Sequence, residues 1–152
     1  YNWPAATTAC PSGWHLPTDA ELNILETYTV SVINSPNPQY PCSTSETGWR
    51  RCADDSGTDA GGTYGAGKSL KKVGQGTGVG AGDDLVGFSA LLAGYRNTDG
   101  SFRTIGSNAH FWSSSASGGS SAWYRHLYAS YSTVLRNNYN RAYGFSVRCL
   151  RD

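Results

Sequence analysis

The sequence predicts an α+β fold, with one helix early and a small antiparallel sheet late. Three observations point there. A single strong helix start lies at Thr18. After Gly87 short apolar runs alternate with turn residues. Finally, 19 glycines and no methionine in 152 residues suit many turns and short strands rather than a helical bundle.

The helix opens on Thr18-Asp19-Ala20-Glu21. This is a capping box, in which the Thr18 hydroxyl accepts from the Glu21 amide while the Glu21 carboxylate reaches back. Leu22, Ile24, Leu25 and Tyr28 follow, so the spacing predicts a helix from Asp19 to about Val30. Asn34-Ser35-Pro36-Asn37-Pro38 stops it. From Pro36 to Gly87 the chain reads as long irregular loop, with a short helix around Lys68 to Val73. Strands are expected at Phe88 to Tyr95, Ser101 to Thr104, Ala109 to Ser113, Ala122 to Leu127, Thr133 to Asn137 and Tyr143 to Cys149. Asn97-Thr98-Asp99-Gly100 is a hairpin signal. Residues 1–152 are expected to form a single domain.

Twelve basic against eleven acidic side chains leave a net charge of +1, which gives no footprint for nucleic acid and no basic membrane patch. No run approaches the ~20 apolar residues of a membrane span, so no membrane insertion is expected. The chain starts at Tyr1 without a leader and reads as a mature product or an excised domain. The cysteines are Cys10, Cys42, Cys52 and Cys149, with no C-x-x-C pair of the kind a zinc knuckle uses. Four cysteines allow three connectivities. The expected one joins Cys10 to Cys149, closing the ends, and Cys42 to Cys52, pinning a loop. Two such disulfides belong to an oxidising compartment, so the protein is expected to be extracellular or at the cell surface.

Gly62-Thr63-Tyr64-Gly65-Ala66-Gly67-Lys68-Ser69 matches the P-loop pattern letter for letter. A working P-loop needs a buried strand before it and a substantial helix after it. Here the preceding stretch is polar and the following one soon returns to glycine, so no nucleotide site is expected. His15, His110 and His126 show no metal spacing, and there is no G-x-S-x-G elbow. Asp54, Asp55 and Asp59, and separately Asp83 and Asp84, offer oxygen ligands to a structural calcium but lack any EF-hand spacing; no other cofactor is expected.

The stretch Trp123 to Tyr143 is dominated by aromatic, asparagine, serine and arginine side chains. Tyrosine gives broad contact at low entropic cost, serine and asparagine adapt their hydrogen bonds, and tryptophan, tyrosine and arginine lead lists of interface hot spots. Leu127, Val134, Leu135 and Trp123 read as packing residues. Tyr128, Tyr131, Asn138, Tyr139 and Asn140 read as an exposed binding surface.

Cys10-Pro11-Ser12-Gly13-Trp14-His15-Leu16-Pro17-Thr18-Asp19-Ala20-Glu21 resembles the opening of the Fibrobacter succinogenes major paralogous domain family. Ala66-Gly67-Lys68-Ser69-Leu70-Lys71, Gly87-Phe88-Ser89-Ala90-Leu91, Gly94-Tyr95-Arg96, Phe111-Trp112-Ser113-Ser114 and Gly144-Phe145-Ser146-Val147-Arg148-Cys149 resemble its later blocks, in order. The resemblance implies a C-type lectin-like fold in its formylglycine-generating-enzyme-like branch, on bacterial surface or secreted proteins, and it supports pairing of Cys10 with Cys149. Formylglycine-generating enzymes use reactive cysteines near the C-terminal part. Only Cys149 stands there, so that catalysis is not carried over. The ending is also similar to the variable proteins of diversity-generating retroelements, whose preceding stretch forms an exposed ligand face. By that similarity the candidate face is His126, Tyr128, Ser130, Tyr131, Ser132, Asn137, Asn138, Tyr139, Asn140 and Arg141.

The expected function is therefore a binding module for a glycan or a surface protein. No Glu-Pro-Asn or Gln-Pro-Asp calcium-sugar tripeptide is present. A second reading is a structural subunit or decoration of an extracellular filament or surface layer, in which the same face meets another copy. An enzyme needs an arranged nucleophile or metal, and the sequence offers neither.

Overall fold

The capping box forms as predicted: the Thr18 hydroxyl accepts from the Glu21 amide at 3.1 Å, and the Thr18 amide donates to Glu21 Oε2 at 2.8 Å. A computed structural model describes residues 1–33, 47–50 and 56–152 of the chain. In chain order the elements are α1 (Trp3–Ala6), β1 (Trp14–His15), α2 (Asp19–Val32), β2 (Gly48–Arg50), α3 (Ala66–Leu70), β3 (Tyr95–Arg96), β4 (Phe102–Arg103), β5 (Asn108–Ala116), β6 (Ser121–Tyr128), β7 (Val134–Asn140) and β8 (Leu150–Arg151). Among the described residues no helix is long and apolar enough to cross a membrane.

The main sheet is antiparallel in the order β2-β7-β6-β5, and smaller pairs join β1 to β8 and β3 to β4. Alternation along the strands gives the sheet two buried faces. One packs Ala109, Phe111, Leu127 and Val134 against α3 and against Ala90 and Leu92. The other packs Trp112, Ala122 and Tyr124 against Ala6, Leu16 and Phe145. Helix α1 docks on the second face, where Trp3 Nε1 donates to the Ser113 carbonyl at 2.8 Å. Its signals, Asn2 accepting from the Ala5 amide and Pro4 in the first turn, were present in the sequence but span too short a stretch to show periodicity.

The layer between α2 and the sheet holds charge. Glu26 accepts from Arg50 at 2.8 Å and from Arg125 at 2.5 Å, while Asp19 accepts from Arg125 and Arg136, each at 2.7 Å. Asn23 Oδ1 takes further donors from Arg50 and Arg125. Burial pushes the Asp19 carboxyl up, but the bonds from Arg136 and Arg125 outweigh it and hold it below the ordinary carboxylate range. Helical spacing puts Asp19, Asn23 and Glu26 on one face of α2, and strand parity puts Arg125 and Arg136 opposite them.

The two ends of the described chain close on each other. Cys10 and Cys149 form the expected disulfide, with Cα atoms 5.7 Å apart. Cys42 and Cys52, the other expected bridge, lie outside the described residues, so the structure shows one disulfide. Beside the bridge, His15 donates to Asp152 at 2.7 Å and to Glu21 at 3.0 Å, and these bonds raise its pKa, the Asp152 bond most. A histidine whose folded pKa lies above its unfolded value of about 6.5 stabilises fully below that value. The contribution fades as pH rises through the folded pKa. Between about pH 6 and about pH 8 the urea midpoint is thus expected to fall further in the wild type than in His15→Gln. Equal pH slopes in the two proteins would refute a stabilising role for the His15 bonds to Asp152 and Glu21.

Two expected strands do not form. In Phe88 to Tyr95 burial alternates, with Ala90 and Leu92 inside and Leu91 outside, but no single strand runs alongside. The Ala90 amide donates to Leu70, that of Leu92 to the Gln75 side chain and that of Gly94 to Asn108. Ser89 also turns the chain at φ +53, held by the Asp84 carboxylate, which accepts its amide at 2.7 Å. Only its last residue, Tyr95, enters a strand, in β3. Tyr143 to Cys149 fares similarly: Gly144 bridges Arg96 and Ser146 bridges Phe111, after which no ladder continues until β8. The expected helix at Lys68 to Val73 is α3, displaced to Ala66–Leu70.

The P-loop lookalike has a packing explanation. A Cβ on Gly65 would sit 2.3 Å from the Ser132 carbonyl oxygen, and one on Gly67 2.0 Å from that of Thr133. These glycines let α3 lie directly on the backbone of the β6–β7 turn, and the five-residue α3 is no phosphate cradle.

Candidate ligand-binding face

Strand register builds a row of side chains across the sheet. Trp49 on β2 pairs with Leu135 on β7, Leu135 with His126 on β6, and His126 with His110 on β5. All lie on the face opposite α2. On the β5 side the row is roofed by Phe145 and Tyr95, whose rings lie 4.8 and 5.2 Å from that of His110. Toward β2 the roof stops. There Trp49, His126, Tyr128 and Tyr131 are half-buried, and Asn137 and Tyr139 are exposed.

The rings hold one another. Trp49 lies 4.7 Å from Tyr131 and 5.3 Å from His126, Tyr131 lies 5.0 Å from Tyr128, and the two histidines stack at 4.3 Å. Tyr139 packs edge-on to Tyr143 at 4.6 Å. Such contacts fix ring orientation before any ligand arrives.

The turn carrying Tyr131 is anchored from below. Fully buried Lys71 donates to the carbonyls of Tyr128 at 2.8 Å and Tyr131 at 2.6 Å. Burial lowers its pKa to about 8, opposed by Asp83. The Thr77 amide donates to Ala129, and the Ser132 amide to Ala60. Burial, then the Lys71 charge, pushes His126 down to about 4. Burial, then His126, pushes His110 down to about 3, against a bond to the Gly94 backbone. Both imidazoles are neutral at physiological pH, so the open row presents π faces, hydroxyls and an amide without net charge.

Of the sequence-predicted residues, His126, Tyr128, Tyr131, Asn137 and Tyr139 come together on this face. Asn138 and Asn140 are exposed on the opposite one by strand alternation, and Ser130 is exposed in the turn. Ser132 is buried, its hydroxyl donating to the Tyr64 carbonyl at 3.1 Å. Arg141 donates to the Ser121 and Gly118 carbonyls and lies 4.3 Å over the Trp3 ring, so it ties α1 to the β6–β7 hairpin. Trp49 was missed. Its only signal was a lone tryptophan in a polar loop. Among the described residues no three histidine, cysteine or acidic side chains gather to hold a metal. Asp83 lies 3.9 Å from Lys68 and Asp84 holds Ser89, while Asp54 and Asp55 lie outside the described residues.

These observations define a disulfide-closed α+β domain with an uncharged aromatic face on its sheet. The chain belongs to the Fibrobacter succinogenes major domain family, whose model matches residues 1–151. No curated protein and no solved structure matches the chain.

Proposed function

We propose that this domain is an extracellular or cell-surface binding module of C-type lectin-like fold. It recognises a glycan or a protein through the open row of Trp49, His126, Tyr128, Tyr131, Asn137 and Tyr139. The observation that carries the reading is the row itself: interlocked rings, half-buried and uncharged, on a rigid sheet whose turn is fastened to buried Lys71. Pre-ordered aromatic surface of this kind stacks on sugar rings or apolar side chains with little entropy left to lose. The disulfide that closes the ends fits an oxidising compartment.

The test is a screen of immobilised glycans and surface proteins with the wild-type domain, repeated with Tyr131→Ala and Tyr139→Ala. Each substitution is expected to weaken a captured ligand about tenfold to a hundredfold, as hot-spot truncations do, while thermal unfolding stays cooperative. A ligand bound equally well by both variants removes this face from the mechanism. Self-association of the wild type that either substitution abolishes would instead make the face a contact between copies, as in a filament.

A further inference from the structure

The two segments that fail to become strands leave a trough between them. Its halves are hollows of about 430 Å³ and about 210 Å³ that meet at Ala93, Ser146 and Val147. One wall is the stretch from Phe88 to Arg96, the other Gly144 to Arg148. Leu91 and Phe102 stand exposed along it, about half and two-thirds accessible.

Two features say what fits. First, among the described residues the backbone groups of Val147 and Arg148 bond to no other backbone. Backbone amides and carbonyls left without backbone partners are a template for one more strand. Second, Arg96 and Arg148 line the trough and, among the described residues, no acidic side chain does. Among the described residues neither guanidinium is in an ion pair: Arg96 Nε donates to the Gly100 carbonyl at 3.3 Å, and Arg148 lies 5.0 Å over the Phe88 ring.

We infer that the trough docks an extended peptide segment of alternating apolar and acidic residues. The segment adds to the Val147–Arg148 edge by main-chain hydrogen bonds. Its apolar side chains meet Leu91 and Phe102, and its carboxylates meet Arg96 and Arg148. Alternation suits the period of a strand, which sends successive side chains to opposite sides. The site is separate from the aromatic face and does not rest on it.

The probe is a short fluorescein-labelled peptide of alternating aspartate and valine, with a lysine–valine peptide and oligogalacturonate as comparisons. In a titration followed by amide NMR, the acidic peptide is expected to shift the Val147 and Arg148 resonances. By anisotropy, Arg96→Ala and Arg148→Ala are each expected to weaken it about tenfold, the scale of an interfacial charge contact. Tyr131→Ala should leave it unchanged. The proposal is overturned if the lysine peptide binds as well, if neither arginine variant weakens binding, if the resonances stay put at millimolar peptide, or if oligogalacturonate moves them and the peptide does not.

Discussion

Glu26→Ala is expected to destabilise the domain by about 3–5 kcal/mol, the scale for removing one partner of a buried ion pair. Glu26 is 1% exposed and accepts from Arg50 and Arg125, themselves 1% and 4% exposed. Truncation takes this carboxylate from both guanidiniums in a site with little water, and the acceptors that remain, Asp19 for Arg125 and Asn23 for both, offset only part of that cost. Glu26→Gln keeps the volume and one acceptor oxygen, and should cost less. Urea unfolding at neutral pH measures both. A loss under about 1 kcal/mol for Glu26→Ala would mean that the arginines relax to solvent and that the layer between α2 and the sheet is looser than its geometry.

Replacing Cys10 and Cys149 together by serine is expected to cost about 2–5 kcal/mol. The bridge spans 139 residues of sequence, and in the chain-entropy model so long a loop lies near the upper end of that range. The contacts around it temper the loss, because they hold the ends without it: the β1–β8 pair and the mutual backbone bonds of Tyr1 and Phe145. Comparing the urea midpoint of the double variant with that of the oxidised wild type measures the effect. An unchanged midpoint would show that the noncovalent closure alone suffices.

Signals complete within a few residues are legible in the sequence, and those that need a distant neighbour are not. Helix α2 is legible because its cap, its apolar spacing and its terminating prolines all lie within a few residues of one another. Strands β5, β6 and β7 are legible because each holds a short run of apolar or aromatic residues set off by turn residues. The stretches from Phe88 and from Tyr143 mislead because alternation reports burial, whereas a strand also needs a neighbour along its length. The charged layer of Asp19, Glu26, Arg50, Arg125 and Arg136 is not legible, since a charge in sequence says nothing of which charge it will face. The same limit splits the candidate face: Trp123 to Tyr143 is rich in aromatic and polar side chains, but parity sends Asn138 to one side and Tyr139 to the other, and Trp49 joins from the distant strand β2.

Strand β7 changes character halfway. Val134 and Arg136 are buried, and from Asn137 to Asn140 every side chain is exposed. The pairing of those four positions with residues 121–124 is made by the backbone, which is indifferent to the letters it carries. The domain thus keeps its grammar and its vocabulary apart: one half of a single strand is spelled by the core, and the other by the surface it presents.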